Sequence, residues 1–220
     1  FDPAIAANAE RHPNNPVMSL ISLSSHTYGC RVTQRVYTHC SEEQRRSMLD
    51  QIEASFDVLA KDLFGNYVIQ HVISAGTSLD SASMVKLLKG RVAEYSMHKC
   101  ASNVVEKAFK RGDSTVCEAL IDEVLAPCVG ENGEMTTPLQ IMVVHPFANY
   151  VVQTMLSVAS FEQRPRIIEC IRKMAPVLRK SDYSKRILSK LEKKPHNRGG
   201  RHGNNDHGHD RDRKDRDRDD

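Results

Sequence analysis

Four short stretches hold the side chains best placed to do chemistry in this 220-residue chain: GCRVTQR at 29–35, GNYVIQH at 65–71, ASNVVEK at 101–107 and ANYVVQT at 148–154. Each carries a short polar residue or thiol in second place and an amide or carboxylate four residues later, giving the pairs Cys30/Gln34, Asn66/Gln70, Ser102/Glu106 and Asn149/Gln153. A planar group follows the first member of each pair: Arg31, Tyr67, Asn103 and Tyr150. On a helical wheel, with Asn66 at the origin, Gln70 falls about 40° away and Tyr67 about 100°, whereas Val68, Ile69 and Val72 fall on the far side. The trio therefore shares one exposed face, opposite a buried apolar one. Such a trio suits an unpaired base, with the planar group against the ring and the polar pair at its hydrogen-bonding edge. Glu106 is the most telling member. An ionised carboxylate only accepts, and the guanine edge offers two adjacent donors. Gln34, Gln70 and Gln153 donate and accept, which fits uracil or adenine without choosing between them.

The elements that must position these residues follow from their spacing. The motifs begin 36, 36 and 47 residues apart, and a weaker fifth copy, SKRILSK at 184–190, begins 36 after Ala148. A recurring period of this length marks a repeat array. Between the motifs lie runs such as SMLDQIEASFDVLAKDLF (47–64), SMVKLLKGRVAEYSM (83–97) and FEQRPRIIECIRKMAPVLRK (161–180), with apolar residues at three- and four-residue steps. That is the pattern of helices with one buried stripe, and alternation is too brief for strands. The expected fold is an all-α solenoid of helical repeats, each burying its face on its neighbours. Pro127, Gly130, Gly133 and Pro138 mark an inserted loop at 125–138. Residues 1–16, with three prolines, are the ragged end of a preceding unit or a linker, and 17–194 form the repeat domain.

Composition narrows the function classes. Residues 195–220 contain no aliphatic or aromatic side chain beyond Pro195, and their seven basic and seven acidic residues cancel. They are expected to be a disordered charged tail. The net charge of +3 thus belongs to the body, too little to indicate a general electrostatic DNA binder. The tail histidines His196, His202, His207 and His209 lack metal-ligand spacing, so no metal or other cofactor is expected. The six cysteines form no Cys-x-x-Cys pair and read as reduced thiols. No apolar run approaches bilayer length, so no membrane role is expected. The chain opens on Phe1 with no secretory leader in this stretch, and reads as a fragment of a longer protein or as a shortened one. His39, His71, His98 and His145 form no motif and read as surface or packing histidines. With no phosphate-cradling loop, metalloprotease motif or nucleophile elbow, catalysis is not expected.

GNYVIQ, ASNVVEK and ANYVVQ at these intervals resemble the Pumilio (PUF) family, whose repeats read one RNA base each. The resemblance covers roughly residues 17–194, as the C-terminal half of such a domain: repeats five to eight and a closing pseudo-repeat. It implies a right-handed, armadillo-like solenoid that clasps single-stranded mRNA. It also implies a code. Asn66/Gln70 and Asn149/Gln153 take uracil, Ser102/Glu106 guanine and Cys30/Gln34 adenine, with Arg31, Tyr67, Asn103 and Tyr150 as stacking platforms. Because the RNA runs antiparallel to the chain, the word is 5′-UGUA. Lys185 and Ser189 of the fifth copy depart from the pattern, so that copy should read no base. The resemblance further implies a cytoplasmic monomer that represses messages through their 3′ untranslated regions. It would recruit co-repressor or deadenylase proteins on its outer face and the 125–138 loop. The competing reading is a HEAT- or armadillo-like protein scaffold with no RNA role, which gives no reason for the pair to recur in register.

Overall fold

The computed structural model describes residues 19–130, 133–178 and 187. The helices are α1 (Leu20–Ser24), α2 (Gly29–His39), α3 (Glu42–Ala54), α4 (Phe56–Lys61), α5 (Gly65–Ala75), α6 (Ser78–Lys86), α7 (Val92–Ser96), α8 (Ala101–Arg111) and α9 (Ser114–Leu125). A hairpin of β1 (Cys128–Val129) and β2 (Met135–Thr136) precedes α10 (Pro138–Val144), α11 (Ala148–Val158), α12 (Gln163–Lys173) and α13 (Ala175–Leu178). The protein is an all-α solenoid of three-helix repeats. The tail and nearly all of the fifth motif copy lie outside the described residues, although Ile187 is buried against the core.

Each motif forms the middle helix of its repeat, and α2, α5, α8 and α11 pack side by side in one row. The wheel's apolar face is the seam of that row: Val68, Ile69 and Val72 are fully buried, as are Val104, Val105, Val151 and Val152. Removing such aliphatic groups from water is the main favourable term in holding one repeat to the next. The first motif position must be small, because a Cβ at Gly29 would lie 2.3 Å from the Leu23 carbonyl oxygen of the preceding helix.

Polar staples reinforce the stacking. Tyr37, on α2, donates its hydroxyl to Asp80 Oδ2, on α6, at 2.7 Å. Asp80 also accepts from Thr77 N at 3.0 Å, and Arg45 stands 3.6 Å away. Between α4 and α7, Arg91 lies over the Tyr95 ring and pairs with Asp57 and Glu94, while Lys61 bridges the same two carboxylates. The Arg91 hydrogen bonds, then that from Lys61, hold the Glu94 carboxyl down to about 2.

Three helical runs of the sequence pattern are divided in the structure. The 47–64 run breaks at Ser55, where α3 ends and α4 turns away, and the 83–97 run breaks at Leu87–Arg91, where Gly90 takes a φ of 83°. Apolar periodicity persists across both breaks because the helices on each side bury into one core. The 161–180 run likewise divides into α12 and α13, with Pro165 tolerated in the first turn of α12. The 125–138 insertion contains a two-residue-per-strand antiparallel pair, Cys128 with Thr136 and Val129 with Met135, too short to show alternation. No disulfide joins any of the six cysteines, all of which are among the described residues. No single helix among the described residues is long and apolar enough to cross a membrane.

Candidate nucleic-acid interface

The four sequence-predicted pairs occupy the same place on four neighbouring helices, but not on a freely solvated face. Asn66, Ser102 and Asn149 are 2%, 0% and 1% exposed, and Cys30, Gln70 and Gln153 are also buried. A wheel treats one helix in isolation, whereas here the adjoining middle helices crowd short side chains. The planar residues stand further out: Arg31 is exposed, and Tyr67, Asn103 and Tyr150 are half-buried.

Burial obliges these polar groups to find partners, and they do so identically where the pair is identical. Asn66 Nδ2 donates to the Asp62 and Leu63 carbonyls at 2.8 and 3.0 Å, and its Oδ1 accepts from Gln70 Nε2 at 2.8 Å. Asn149 Nδ2 donates to the His145 and Pro146 carbonyls at 3.0 and 2.7 Å, and its Oδ1 accepts from Gln153 Nε2 at 3.2 Å. Each asparagine thus fixes its glutamine and leaves that amide one further proton and its carbonyl oxygen. Ser102 Oγ donates to the Lys99 carbonyl at 3.1 Å, and Lys110 Nζ stands 3.6 Å from Glu106 Oε2.

The Cys30/Gln34 repeat differs in a way the chemistry explains. The Cys30 thiol turns to the Thr27 carbonyl, and no asparagine oxygen is present to accept from the glutamine. Gln34 Nε2 is consequently buried with no hydrogen-bond partner, while Gln34 Oε1 accepts from Arg31 at 3.5 Å. The Arg31 guanidinium also lies 5.4 Å from the centroid of the Tyr67 ring, so the planar groups of the first two motifs face one another. The seventh motif position, which sequence reasoning left out of the site, adds Arg35, His71 and Lys107 beside the pairs. His71 Nε2 is 2.8 Å from Thr38 Oγ1, and burial pushes its pKa down.

The turn before each middle helix was also missed. His98 Nδ1 accepts from the backbone N–H groups of Cys100 and Ala101, and His145 Nδ1 from those of Phe147 and Ala148. These are not incidental surface or packing histidines, because His26 does the same for Tyr28 and Gly29, and Asp62 Oδ1 for Phe64 and Gly65. The signal lay three residues before each motif, disguised by the change from His to Asp. Among the described residues no cluster of His, Cys, Asp or Glu could hold a metal ion.

A row of equivalent helices, each carrying a residue pair and a planar neighbour at the same place, defines a helical-repeat solenoid. Residues 19–53, 56–88, 91–125 and 142–172 match the Pumilio-family RNA binding repeat, and the chain belongs to that family. It is 32% identical to a Pumilio domain-containing protein of Schizosaccharomyces pombe, over 79% of this chain and 24% of the relative. It is 35% identical to Pumilio homology domain family member 4 of Saccharomyces cerevisiae, over 79% of this chain and 20% of the relative. Among solved structures it resembles PUF-8 in complex with PBE-RNA (36% identity, TM-score 0.70, 79% of this chain and 49% of that one). It also resembles the Puf3 RNA binding domain bound to a Cox17 RNA 3′ UTR recognition sequence (29% identity, TM-score 0.70, 86% and 55%). The chain spans about a quarter of the length of these curated relatives and about half of the solved chains.

Proposed function

We propose that this chain binds single-stranded RNA in a sequence-specific manner, with 5′-UGUA as its core word. The observation that carries the reading is the recurrence of a residue pair, four positions apart, at one place on four adjacent helices, each beside a planar side chain, with the two Asn/Gln pairs hydrogen-bonded within themselves. The base edges enter from the exposed side of the row. Ser102/Glu106 accepts the two donors of guanine, and Gln70 and Gln153, each tied by its asparagine, present one donor and one acceptor to uracil. Gln34 is the adenine reader, whose buried Nε2 gains an acceptor from the base. Bases stack on Arg31, Tyr67, Asn103 and Tyr150, with the cationic side chains of Arg35 and Lys107 on the same face to meet phosphates.

Family likeness extends the proposal to the cellular role: post-transcriptional repression of messages with this word in their 3′ untranslated regions. The chain would act as a cytoplasmic monomer, recruiting co-repressor or deadenylase proteins through the outer helices and the hairpin of the 125–138 insertion. The test is titration of the 220-residue chain with labelled RNA containing UGUA and with the same RNA carrying UCUA, at one stated salt concentration. Tight binding lost on that change supports the proposal. Equal binding to both contradicts it.

A further inference from the structure

We infer that His26, His98 and His145, with Asp62 in the second repeat, are the positioning residues of the RNA-reading helices, and that the three imidazoles make RNA affinity fall on acidification. The inference rests on the reading of the middle helices as base readers. It starts from a contact made four times: an acceptor three residues before each motif takes the first two backbone N–H groups of the turn, at 3.2 Å from His26, 2.9 and 2.6 Å from Asp62, 3.2 and 3.4 Å from His98, and 3.3 and 3.4 Å from His145. The same residue grips the reading position through its own carbonyl. The backbone N–H groups of Cys30, Asn66, Ser102 and Asn149 all donate to it, and Asn66 and Asn149 add their side-chain amides. The first base-reading residue of every repeat therefore hangs from one cap.

Asp and His are equivalent here only while the imidazole is neutral, with Nδ1 as acceptor and the proton on Nε2. A protonated ring presents an N–H to two N–H groups at the positive end of a helix, and the contact becomes repulsive. The ring must then leave, releasing the turn that holds the reading residue. A carboxylate in the same place keeps accepting across this range. The groups facing these turns are Tyr28, its ring 6.1 Å from that of His26, and Asp62 and Lys99, whose charges both reach the Cys100 thiol at the His98 turn. The Phe147 ring lies 5.7 Å from His145. Burial holds the His145 pKa below the ordinary histidine value, so the neutral cap is favoured above about pH 6.5 and its contribution is lost as the pH falls through that lowered pKa.

The experiment compares the wild-type chain with the triple variant H26D/H98D/H145D, which gives every repeat the cap that Asp62 already provides. Affinity for UGUA RNA is measured at pH 7.5 and 5.5 at constant ionic strength, and thermal melting without RNA at both pH values. Loss of one cap is worth about fivefold, so wild-type affinity should drop by about tenfold or more on acidification and that of the triple variant by much less. His39, His71 and the tail histidines are common to both proteins and cancel. An equal drop in both proteins would overturn the inference, as would unchanged affinity at pH 7.5 in H145A. H145D alone serves if the triple variant does not fold. Should the wild type bind no UGUA RNA at pH 7.5, the function proposal fails. The caps are then judged by melting, where the wild type must lose more stability on acidification than the Asp variant.

Discussion

Replacing Tyr37 with Phe removes one oxygen and tests whether the polar staples hold successive repeats together. The ring is almost fully buried and stays in place, while its hydroxyl spans from α2 of the first repeat to Asp80 on α6 of the second, at 2.7 Å. Asp80 is itself 8% exposed, so water does not readily replace the lost donor. Arg45, at 3.6 Å, is too distant to take over, which leaves Thr77 N at 3.0 Å. A hydrogen bond to a buried charge contributes about 1.5–3 kcal/mol net, and about 2 kcal/mol here corresponds to roughly 6 °C in a protein of this size. The same contact has a pH signature. Burial alone would raise the Asp80 carboxyl, but the hydrogen bonds from Tyr37 and Thr77 and the Arg45 charge outweigh it and hold it below the ordinary range. Its stabilisation is complete above the unfolded value of about 3.9 and is lost as pH falls through the lowered folded one. Tyr37→Phe should therefore melt about 6 °C lower at pH 7.5, with a smaller deficit below about pH 4. Melting followed by circular dichroism, with Asp80→Asn and the double variant completing a cycle, measures the coupling. Melting indistinguishable from wild type, or an undiminished Tyr37→Phe effect in the Asp80→Asn background, refutes the reasoning.

Two other substitutions probe the backbone and the binding face. Gly29→Ala should destabilise by about 2 kcal/mol, since its Cβ would meet a backbone oxygen at 2.3 Å. Gly65→Ala should cost less than Gly29→Ala, because its Cβ would meet the movable end of Leu59 at 2.8 Å and the Leu59 carbonyl oxygen only at 3.0 Å, and alanine fills the same position as Ala101 and Ala148; denaturant titration separates the two. Tyr67→Ala should weaken UGUA binding by about 1–3 kcal/mol through lost stacking with little loss of folding stability, measured by RNA titration beside a melting curve. Unchanged affinity would remove Tyr67 from the set of base platforms.

The repeat register was legible in the sequence because the motif combines a fixed apolar pattern with fixed polar positions. Val68, Ile69 and Val72 alone would have described any buried helix; Asn66 and Gln70 in step with Asn149 and Gln153 marked the face we propose binds RNA. The burial of those same residues was not legible. A short side chain's exposure depends on how closely the next helix approaches, and that distance is a property of the row. The caps escaped notice for a chemical reason. A carboxylate and a neutral imidazole look unlike as letters, yet Asp62 Oδ1 and His98 Nδ1 offer the same acceptor to the same two N–H groups. Helix breaks at Ser55 and Gly90 were hidden because one core receives the helices on both sides.

The most direct test of base reading is to exchange the one pair member with acceptors only. Wild type and Glu106→Gln are each titrated with RNA carrying UGUA and UCUA. The wild type should bind the guanine-containing word far more tightly. In Glu106→Gln the new amide sets a donor against the two donors of guanine, and that preference should shrink by about tenfold or more. A Glu106→Gln protein that folds and keeps the full guanine preference would contradict the account.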